Sequence, residues 1–193
     1  MVKDVRLCAW LWQTQSMSEL NTARLHLVPL ELGHVAVMHE LSVDPEVRRY
    51  LFEGLIIPLQ QVEDMIATSE RCFIEHGIGF FAIYIQLEDD PNDGAFVGFC
   101  GLRAFDGSED MELLFGMQPR FWGRGFGQEG ARAVLRHGFG ECGFERVFAA
   151  VDTPNQRSVR VLQRLGMSFR ERREWHGLDT LFYDLSASEF SQE

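Results

Sequence analysis

The chain has 193 residues, of which 46% are hydrophobic and 24% are charged, and this composition fits one soluble globular domain rather than a disordered or fibrous chain. Its formal net charge of −11 argues against general nucleic-acid binding, which depends on clustered lysine and arginine side chains. The four cysteines have no metal-ligand spacing, and no run of about 18 apolar residues could span a membrane. We therefore expect a cytoplasmic protein without a metal centre and without a nucleic-acid or membrane partner.

The beginning of the chain departs from the pattern that follows it. Arg6 interrupts a short apolar stretch near the start, so we reject a signal peptide. Because regular alternation begins at Thr22, we interpret residues 1–21 as an N-terminal extension, residues 22–187 as a single domain and residues 188–193 as a tail. We also hypothesise that Met17 is the natural start of the protein. The first sixteen residues would then be an upstream extension, and the alternative is that they form an additional helix or edge strand.

Strand and helix periods alternate up to residue 117. Residues 22–30 alternate like a half-buried strand, residues 31–43 have helical spacing, and a second helix is predicted from Gln60 to about His76. The apolar connection between these helices suits a flap over a pocket, or equally a packed core connection. A meander of three strands follows at residues 80–87, 95–102 and 110–117, with turns at residues 88–94 and 106–107.

A glycine-rich loop follows this meander. Pro119 ends the last strand, Gly123, Gly125 and Gly127 alternate with larger residues, and residues 128–139 continue with helical periodicity. Glycines let consecutive backbone N–H groups converge on a phosphate, and the following helix adds the positive end of its dipole. The sequence therefore predicts a phosphate-binding loop. A P-loop or a dinucleotide fingerprint is excluded, because the required Gly-Lys-Ser/Thr ending and an early GxGxxG turn are absent from the sequence.

The remaining elements complete an α+β pattern. Residues 146–151 predict a short central strand, and a helix within residues 152–166 begins near Asn155, a good N-cap residue. Two strands at residues 167–174 and 178–185 are joined around His176-Gly177. We expect an α+β fold, α/β by some schemes, with a mixed, mostly antiparallel central sheet of about six to seven strands flanked by about four helices.

Two signatures in this order of elements resemble the GNAT superfamily of acyl-CoA-dependent N-acyltransferases. The stretch GMQPRFWGRGFGQE at residues 116–129 is similar to the family's pyrophosphate loop, and NQRSVRVLQRLGMSF at residues 155–169 is similar to its later helix and following strand. Trp122, where much of the superfamily has Arg or Gln, and the Asn155–Ser158 spacing are typical of the RimJ and RimL branch of ribosomal-protein N-terminal acetyltransferases. The resemblance covers roughly residues 22–185 and implies a GNAT-like fold.

The resemblance implies acetyl-CoA as co-substrate and a primary amine as acceptor, with direct transfer of the acetyl group in a ternary complex. The acceptor would be a protein N-terminus or a small amine such as an aminoglycoside, a polyamine or an amino acid, and the protein would be a monomer or a homodimer. The acidic composition favours a cationic acceptor. Two alternatives stay open: a catalytically silent acyl-CoA-binding or regulatory domain of the same fold, and an acyltransferase that uses another acyl-CoA.

The resemblance also implies which residues hold the cofactor. The backbone of Phe115 and Met117 would pair with the cofactor arm, and Gly116 between them would tolerate a β-bulge that splays the strand. The implied cofactor-binding residues are Phe115, Met117, Trp122, Gly123, Arg124, Gly125, Phe126, Gly127, Gln128, Asn155 and Arg160. Arg120, Arg124 and Arg160 would meet the adenosine phosphates or be ordinary solvated charges.

Ser158 and Glu112 are the candidate catalytic residues. Ser158 would hydrogen-bond or protonate the leaving thiolate, as the matching serine is placed in the RimL-like branch, or would serve only in the first turn of its helix. Glu112 would accept the proton of the amine, directly or through water, or lie on a solvated face of the sheet. Glu174 and Glu53 are the second and third options for this base. Cys142 is not expected to be a nucleophile, because no basic or amide partner flanks it.

Overall fold

The computed structural model describes residues 19–105 and 110–190, and it has helices on both faces of a central sheet. The strands are β1 (Leu20–Asn21), β2 (Leu25–Pro29), β3 (Phe80–Ile85), β4 (Phe96–Ala104), β5 (Met111–Met117), β6 (Arg146–Asp152), β7 (Ser168–Trp175) and β8 (Leu178–Ser186). The helices are α1 (Val35–Val43), α2 (Pro45–Leu51), α3 (Leu59–His76), α4 (Phe126–Gly140) and α5 (Gln156–Arg164), with 3₁₀ turns at Leu32–His34 and Pro119–Phe121. The hypothesis about Met17, the predicted turn at residues 106–107 and the last three residues of the tail lie outside the described residues.

The sheet opens at one place, between β5 and β6. The strand order is β1-β2-β3-β4-β5-β6-β8-β7, and every neighbouring pair is antiparallel except β5 and β6, which are parallel. These two strands pair through Met111 with Val147 and through Glu112 with Phe148. Beyond Glu112 each continues for several residues without pairing to the other. The two strands therefore diverge, and the middle of the sheet is accessible at their carboxyl ends.

The predicted α+β class with a mixed, mostly antiparallel sheet is confirmed, but the predicted counts are too low. The described residues form eight strands and five α-helices. The additional strand is β1, in which Leu20 pairs with Leu27, so the sheet begins before residue 22. The additional helix is α2, which begins at Pro45 because the Asp44 side chain accepts hydrogen bonds from two backbone N–H groups of its first turn.

Two apolar clusters cover the two faces of the sheet. Along β3, Phe80 and Ala82 pack into the cluster that contains α1 and most of the inner face of α3, whereas Phe81 and Ile83 pack into the cluster that contains α4. This division follows from the two-residue period of a strand. No helix of residues 19–105 and 110–190 is long and apolar enough to cross a membrane.

Candidate active site

The divergence of β5 and β6 opens a cavity of about 620 Å³, which we call the loop cavity. It brings together the end of β5, the glycine-rich loop, the end of β6 and the first turns of α5. Most of the residues singled out from the sequence line it, namely Phe115, Met117, Trp122, Gly123, Gly125, Phe126, Gly127, Gln128, Asn155, Ser158 and Arg160. Arg124 and Glu112 do not line the loop cavity.

The backbone of the glycine loop has the properties of an anion-binding site. Gly123 and Gly125 have φ angles of 79° and 83°, in the left-handed region that favours glycine. Among residues 19–105 and 110–190, no acceptor receives a hydrogen bond from the backbone N–H groups of residues 123–128. These donors surround the N-terminus of α4, whose dipole favours negative charge. A pyrophosphate group fits this chemistry, because it supplies the acceptors that the fold does not.

The side chain of Arg124 is engaged elsewhere. Its guanidinium pairs with Asp90 and lies 4.7 Å from the centroid of the Phe126 ring. The side chain of Asn92, its backbone N–H and then Arg124 lower the pKa of Asp90 to about 2, so this carboxylate is charged at neutral pH. Arg120 likewise donates to the Gln118 side chain, at 2.7 Å. Only the backbone of Arg124 is thus left to contact a phosphate.

Helix α5 supplies the basic side chains of the loop cavity. Arg160, predicted from the sequence, lines the cavity together with Arg157 and Arg164. The Arg157 guanidinium lies 4.2 Å from the centroid of the Trp122 ring, a cation–π contact that joins α5 to the loop. The sequence analysis missed Arg157 and Arg164. Their spacing of three and four residues from Arg160 was the available signal, because residues so spaced share one helix face.

A network of hydrogen bonds connects the glycine loop and the start of α4 to residues 22–24. The Glu129 carboxylate, in the first turn of α4, accepts hydrogen bonds from the Thr22 hydroxyl at 2.6 Å and from Arg24 Nε at 2.7 Å. Arg24 Nη1 also donates to the Arg124 carbonyl oxygen at 3.0 Å. The connection between β1 and β2 therefore positions both the loop and the helix that follows it. The sequence analysis did not single out these contacts, which join residues about a hundred positions apart.

Asn155 and Ser158 occupy the first turn of α5. The Asn155 Oδ1 atom accepts a hydrogen bond from the Ser158 backbone N–H at 3.2 Å, as expected of an N-cap. The Ser158 hydroxyl has no hydrogen-bond partner among the described residues, although it lines the loop cavity. Asn155 thus supplies the capping interaction, and the hydroxyl of Ser158 is available to a ligand.

The expected β-bulge at Gly116 is absent. Between Gly98–Met117 and Ala104–Met111, the β4–β5 ladder has no register shift. A Cβ atom at Gly116 would lie 2.8 Å from the Phe99 ring and 3.2 Å from Leu51. Close packing therefore requires glycine at position 116. The divergence of β5 and β6 does not involve a bulge, because these two strands stop pairing after Glu112.

Glu112 faces a second cavity of about 830 Å³, which we call the hairpin cavity because the β7–β8 turn lines it. The Glu112 carboxylate is 5% exposed and accepts a hydrogen bond from Arg103 Nε at 2.8 Å. Glu53 also lines the hairpin cavity, whereas Glu174 is exposed and lines neither cavity. Asp152, at the end of β6, lines both cavities and was not predicted from the sequence.

Comparison with known proteins identifies the family. The family model described as the acetyltransferase (GNAT) domain matches residues 24–168, which is more than half of the chain. The chain belongs to the GNAT acetyltransferase family. The superfamily resemblance seen in the sequence is thereby confirmed.

Relatives and solved structures agree with membership of the GNAT family. The chain is 31% identical to the uncharacterized protein YkkB of Bacillus subtilis over 163 residues, covering 82% of this chain and 91% of YkkB. It is 29% identical to the FsC-acetyl coenzyme A-N(2)-transacetylase of Aspergillus fumigatus over 160 residues, covering 79% and 66% of the two chains. The structure of RimL, the ribosomal L7/L12 alpha-N-protein acetyltransferase, in complex with coenzyme A matches with a TM-score of 0.72 at 15% identity, covering 88% of this chain and 98% of RimL. This last match shows a shared fold.

The Cys142 thiol of this GNAT chain has the properties of a structural group. Burial, with a smaller contribution from Glu141, raises the pKa of Cys142 to about 11, so the thiol is protonated at neutral pH. Its Sγ donates to the Gly77 carbonyl oxygen at 3.6 Å. Among the described residues there is also no group of three or more His, Cys, Asp or Glu side chains that could hold a metal ion.

Proposed function

We propose that this protein is an acetyl-CoA-dependent N-acetyltransferase that transfers the acetyl group directly to a primary amine. The observation that carries the proposal is the row of N–H groups at residues 123–128, which find no acceptor among the described residues and lie beside a cavity between diverging strands. In a member of the GNAT family these donors match the pyrophosphate of acetyl-CoA. The printed names of two similar proteins refer to acetyl transfer to nitrogen: the FsC relative is an acetyl coenzyme A-N(2)-transacetylase, and RimL is an alpha-N-protein acetyltransferase.

The open edge of β5 supports the placement of the cofactor arm. Beyond Glu112 the edge of β5 that faces β6 has no strand partner among the described residues. An amide-containing arm can therefore add to the backbone of Phe115 and Met117 in the manner of another strand. Arg160, with Arg157 and Arg164, supplies positive charge on the α5 side of the same cavity.

The transfer forms a C–N bond, breaks the C–S bond of the thioester and needs two proton movements. The attacking nitrogen must have lost its proton, and the leaving thiolate must gain one. Ser158 is our proposal for the donor to the thiolate, because its hydroxyl is free on the loop cavity. Glu112 stays a prediction for the base, and its ion pair with Arg103 is the observation against it.

Thermal unfolding with and without acetyl-CoA, followed by thiol release with a panel of amines and N-terminal peptides, tests the proposal. A ligand at about 100 times its Kd stabilises the folded state by roughly 2.7 kcal/mol. Stabilisation together with thiol release supports the enzyme. Stabilisation without release from any acceptor supports the silent binding domain, and stabilisation by another acyl-CoA in place of acetyl-CoA supports the other acyltransferase. No stabilisation by any acyl-CoA contradicts the proposed role of the loop.

A further inference from the structure

The two cavities meet where β5 and β6 diverge, and they differ in charge. Leu114, Ala150 and Asp152 line both of them. The charged residues of the loop cavity are three arginines and two acids, namely Arg157, Arg160, Arg164, Glu46 and Asp152. Those of the hairpin cavity are four acids and two arginines, with two histidines, namely Glu53, Glu75, Glu112, Asp152, Arg71, Arg103, His76 and His176. The loop cavity thus suits an anion and the hairpin cavity a cation.

Asp152 is the acid at the junction, and no cationic side chain of the described residues pairs with it. Glu112 is paired with Arg103, and Glu75 lies 3.8 Å from a ring nitrogen of His76. Neither Asp152 nor Glu53 forms an ion pair within residues 19–105 and 110–190. Asp152 is half-buried. Desolvation of its carboxyl group and, to a smaller extent, the negative charge of Glu53 raise the pKa of Asp152. An ammonium group beside Asp152 would offset both effects.

Glu53 is held in an unusual backbone conformation at the edge of the hairpin cavity. Its φ angle is 55°, which is uncommon for a residue other than glycine. The backbone on either side is fixed, because the Gly54 N–H donates to the Arg48 carbonyl oxygen at 2.8 Å and the Leu55 N–H donates to that of Phe52 at 2.8 Å. Arg48 also donates from its guanidinium to the Gly54 carbonyl oxygen. A strained position of this kind persists where the surroundings determine it. Glu53 and Asp152 both line the hairpin cavity, and the charge of Glu53 contributes to the raised pKa of Asp152.

The rest of the hairpin cavity is largely apolar and aromatic. Tyr50, Phe52 and Trp175 line it, and Leu55 and Ile56 do so while remaining 63% and 70% exposed. Such a lining buries hydrocarbon or a ring, whereas the two acids without an ion pair among the described residues, half-buried Asp152 and exposed Glu53, favour positive charge. The cavity therefore combines one site for an ammonium group with room for an apolar substituent.

We propose that Asp152, assisted by Glu53, binds the ammonium group of the acceptor, and that the chain selects primary amines that carry an apolar group and no carboxylate next to the nitrogen. This inference rests on the proposed function and narrows its acceptor class. An adjacent carboxylate would be placed near two like charges, and that repulsion would weaken binding.

Initial rates with phenylalanine amide and phenylalanine test the inference when each rate is expressed per concentration of neutral amine, because the amide has the lower amino pKa and otherwise differs from phenylalanine in lacking the carboxylate. We expect the wild type to use the amide with a kcat/KM at least about tenfold higher. Asp152→Asn should raise the KM for the amide roughly tenfold or more, since a charge-assisted hydrogen bond is lost, and should leave the KM for acetyl-CoA unchanged. Glu40→Gln is the matched control, because this substitution also replaces a carboxylate by an amide. Glu40 is exposed on α1 and lines neither cavity.

Stabilisation of each variant by acetyl-CoA shows whether the variant is folded. If Asp152→Asn is not folded, the KM of Glu53→Gln for the amide tests the inference instead. A raised KM for the amide in the folded variants supports the inference. An unchanged KM, or a wild-type preference for phenylalanine, overturns the inference and leaves the proposed function standing. Absence of thiol release with every amine in the wild type overturns the proposed function, and the inference with it.

Discussion

Neighbouring side chains determine what each carboxylate near the sheet opening can do. Glu112 and Asp152 lie on the two strands that diverge, but Arg103 neutralises Glu112 and no described cation neutralises Asp152. An acid that is already bound to a guanidinium is a weak receptor for a second cation, whereas an unpaired, half-buried acid is a strong one. The sequence favoured Glu112 because of its position before the glycine loop. The contacts of the folded chain favour Asp152 as the group that receives the amine.

Replacement of Ser158 by alanine tests the proposed donor to the thiolate. We expect kcat to fall on the order of a hundredfold, because the leaving group loses its positioned proton or hydrogen bond. Stabilisation by acetyl-CoA should be unchanged, since the Ser158 backbone N–H that binds Asn155 remains. Steady-state rates and thermal unfolding measure the two effects. Ser188→Ala, which removes an exposed hydroxyl outside both cavities, is the control, and equal kcat values for the two variants would contradict the assignment.

The loop between β5 and α4 is an element whose function depends on its backbone. Two left-handed glycines turn the chain so that, within the part of the chain that the structure describes, the N–H groups at the start of α4 have no acceptors. Glu129 and Arg24 then fix this turn against β2, which keeps the donors in place before a ligand arrives. Preorganised donors of this kind bind an anion without an additional cost of ordering.

Gly123→Ala tests whether the glycine loop binds the cofactor. Gly123 and Gly143 have φ angles of 79° and 73°, and a Cβ atom at either position would meet nothing within 4 Å. Both alanine variants should therefore lose about 1–2 kcal/mol of unfolding free energy from backbone strain. Only Gly123 lines the loop cavity, so only Gly123→Ala should also weaken acetyl-CoA binding.

Urea unfolding and calorimetric titration with acetyl-CoA measure these two quantities. Equal Kd values for the Gly123 and Gly143 variants would count against the loop as the phosphate site.

At the scale of the whole molecule, two cavities meet at the opening of the sheet, where α2, β5 and β6 contribute residues to both. The basic side chains of α5 lie on the loop cavity, and the unpaired acids lie on the hairpin cavity. An anionic donor and a cationic acceptor can therefore occupy different cavities at the same time, and their reactive ends can meet beside Asp152. The overall charge of −11 adds a long-range attraction for a cationic acceptor, screened by salt.

This arrangement predicts a ternary complex. Double-reciprocal plots against acetyl-CoA at several acceptor concentrations should intersect, because both substrates are bound before transfer. Cys142→Ser should retain wild-type kcat, since the protonated, half-buried thiol is not expected to form an acetyl-enzyme. Parallel plots, or loss of turnover in Cys142→Ser, would indicate a covalent intermediate instead.

The periods and turn residues of the sequence determined the α+β class, the order of most elements and the glycine loop. They did so because alternation, helical spacing, caps and glycine conformations act over a few neighbouring residues. The short strand β1 escaped detection because two residues carry no period, and its stability comes from pairing with β2. The helix α2 was ambiguous because Asp44-Pro45 can end one helix or begin another.

Only the tertiary structure decided which charges are paired. Arg124 and Arg160 look alike in the sequence, yet Arg124 binds Asp90 across the fold whereas Arg160 lines the loop cavity. Glu112 and Asp152 differ in the same way: Glu112 is paired with Arg103, whereas Asp152 forms no ion pair among the described residues. The difference arises because β5 and β6 bring different neighbouring side chains to the two carboxylates. Such pairings depend on long-range strand order and on the divergence of β5 and β6. Local periodicity contains no information on either, because it reports only which face of an element is buried.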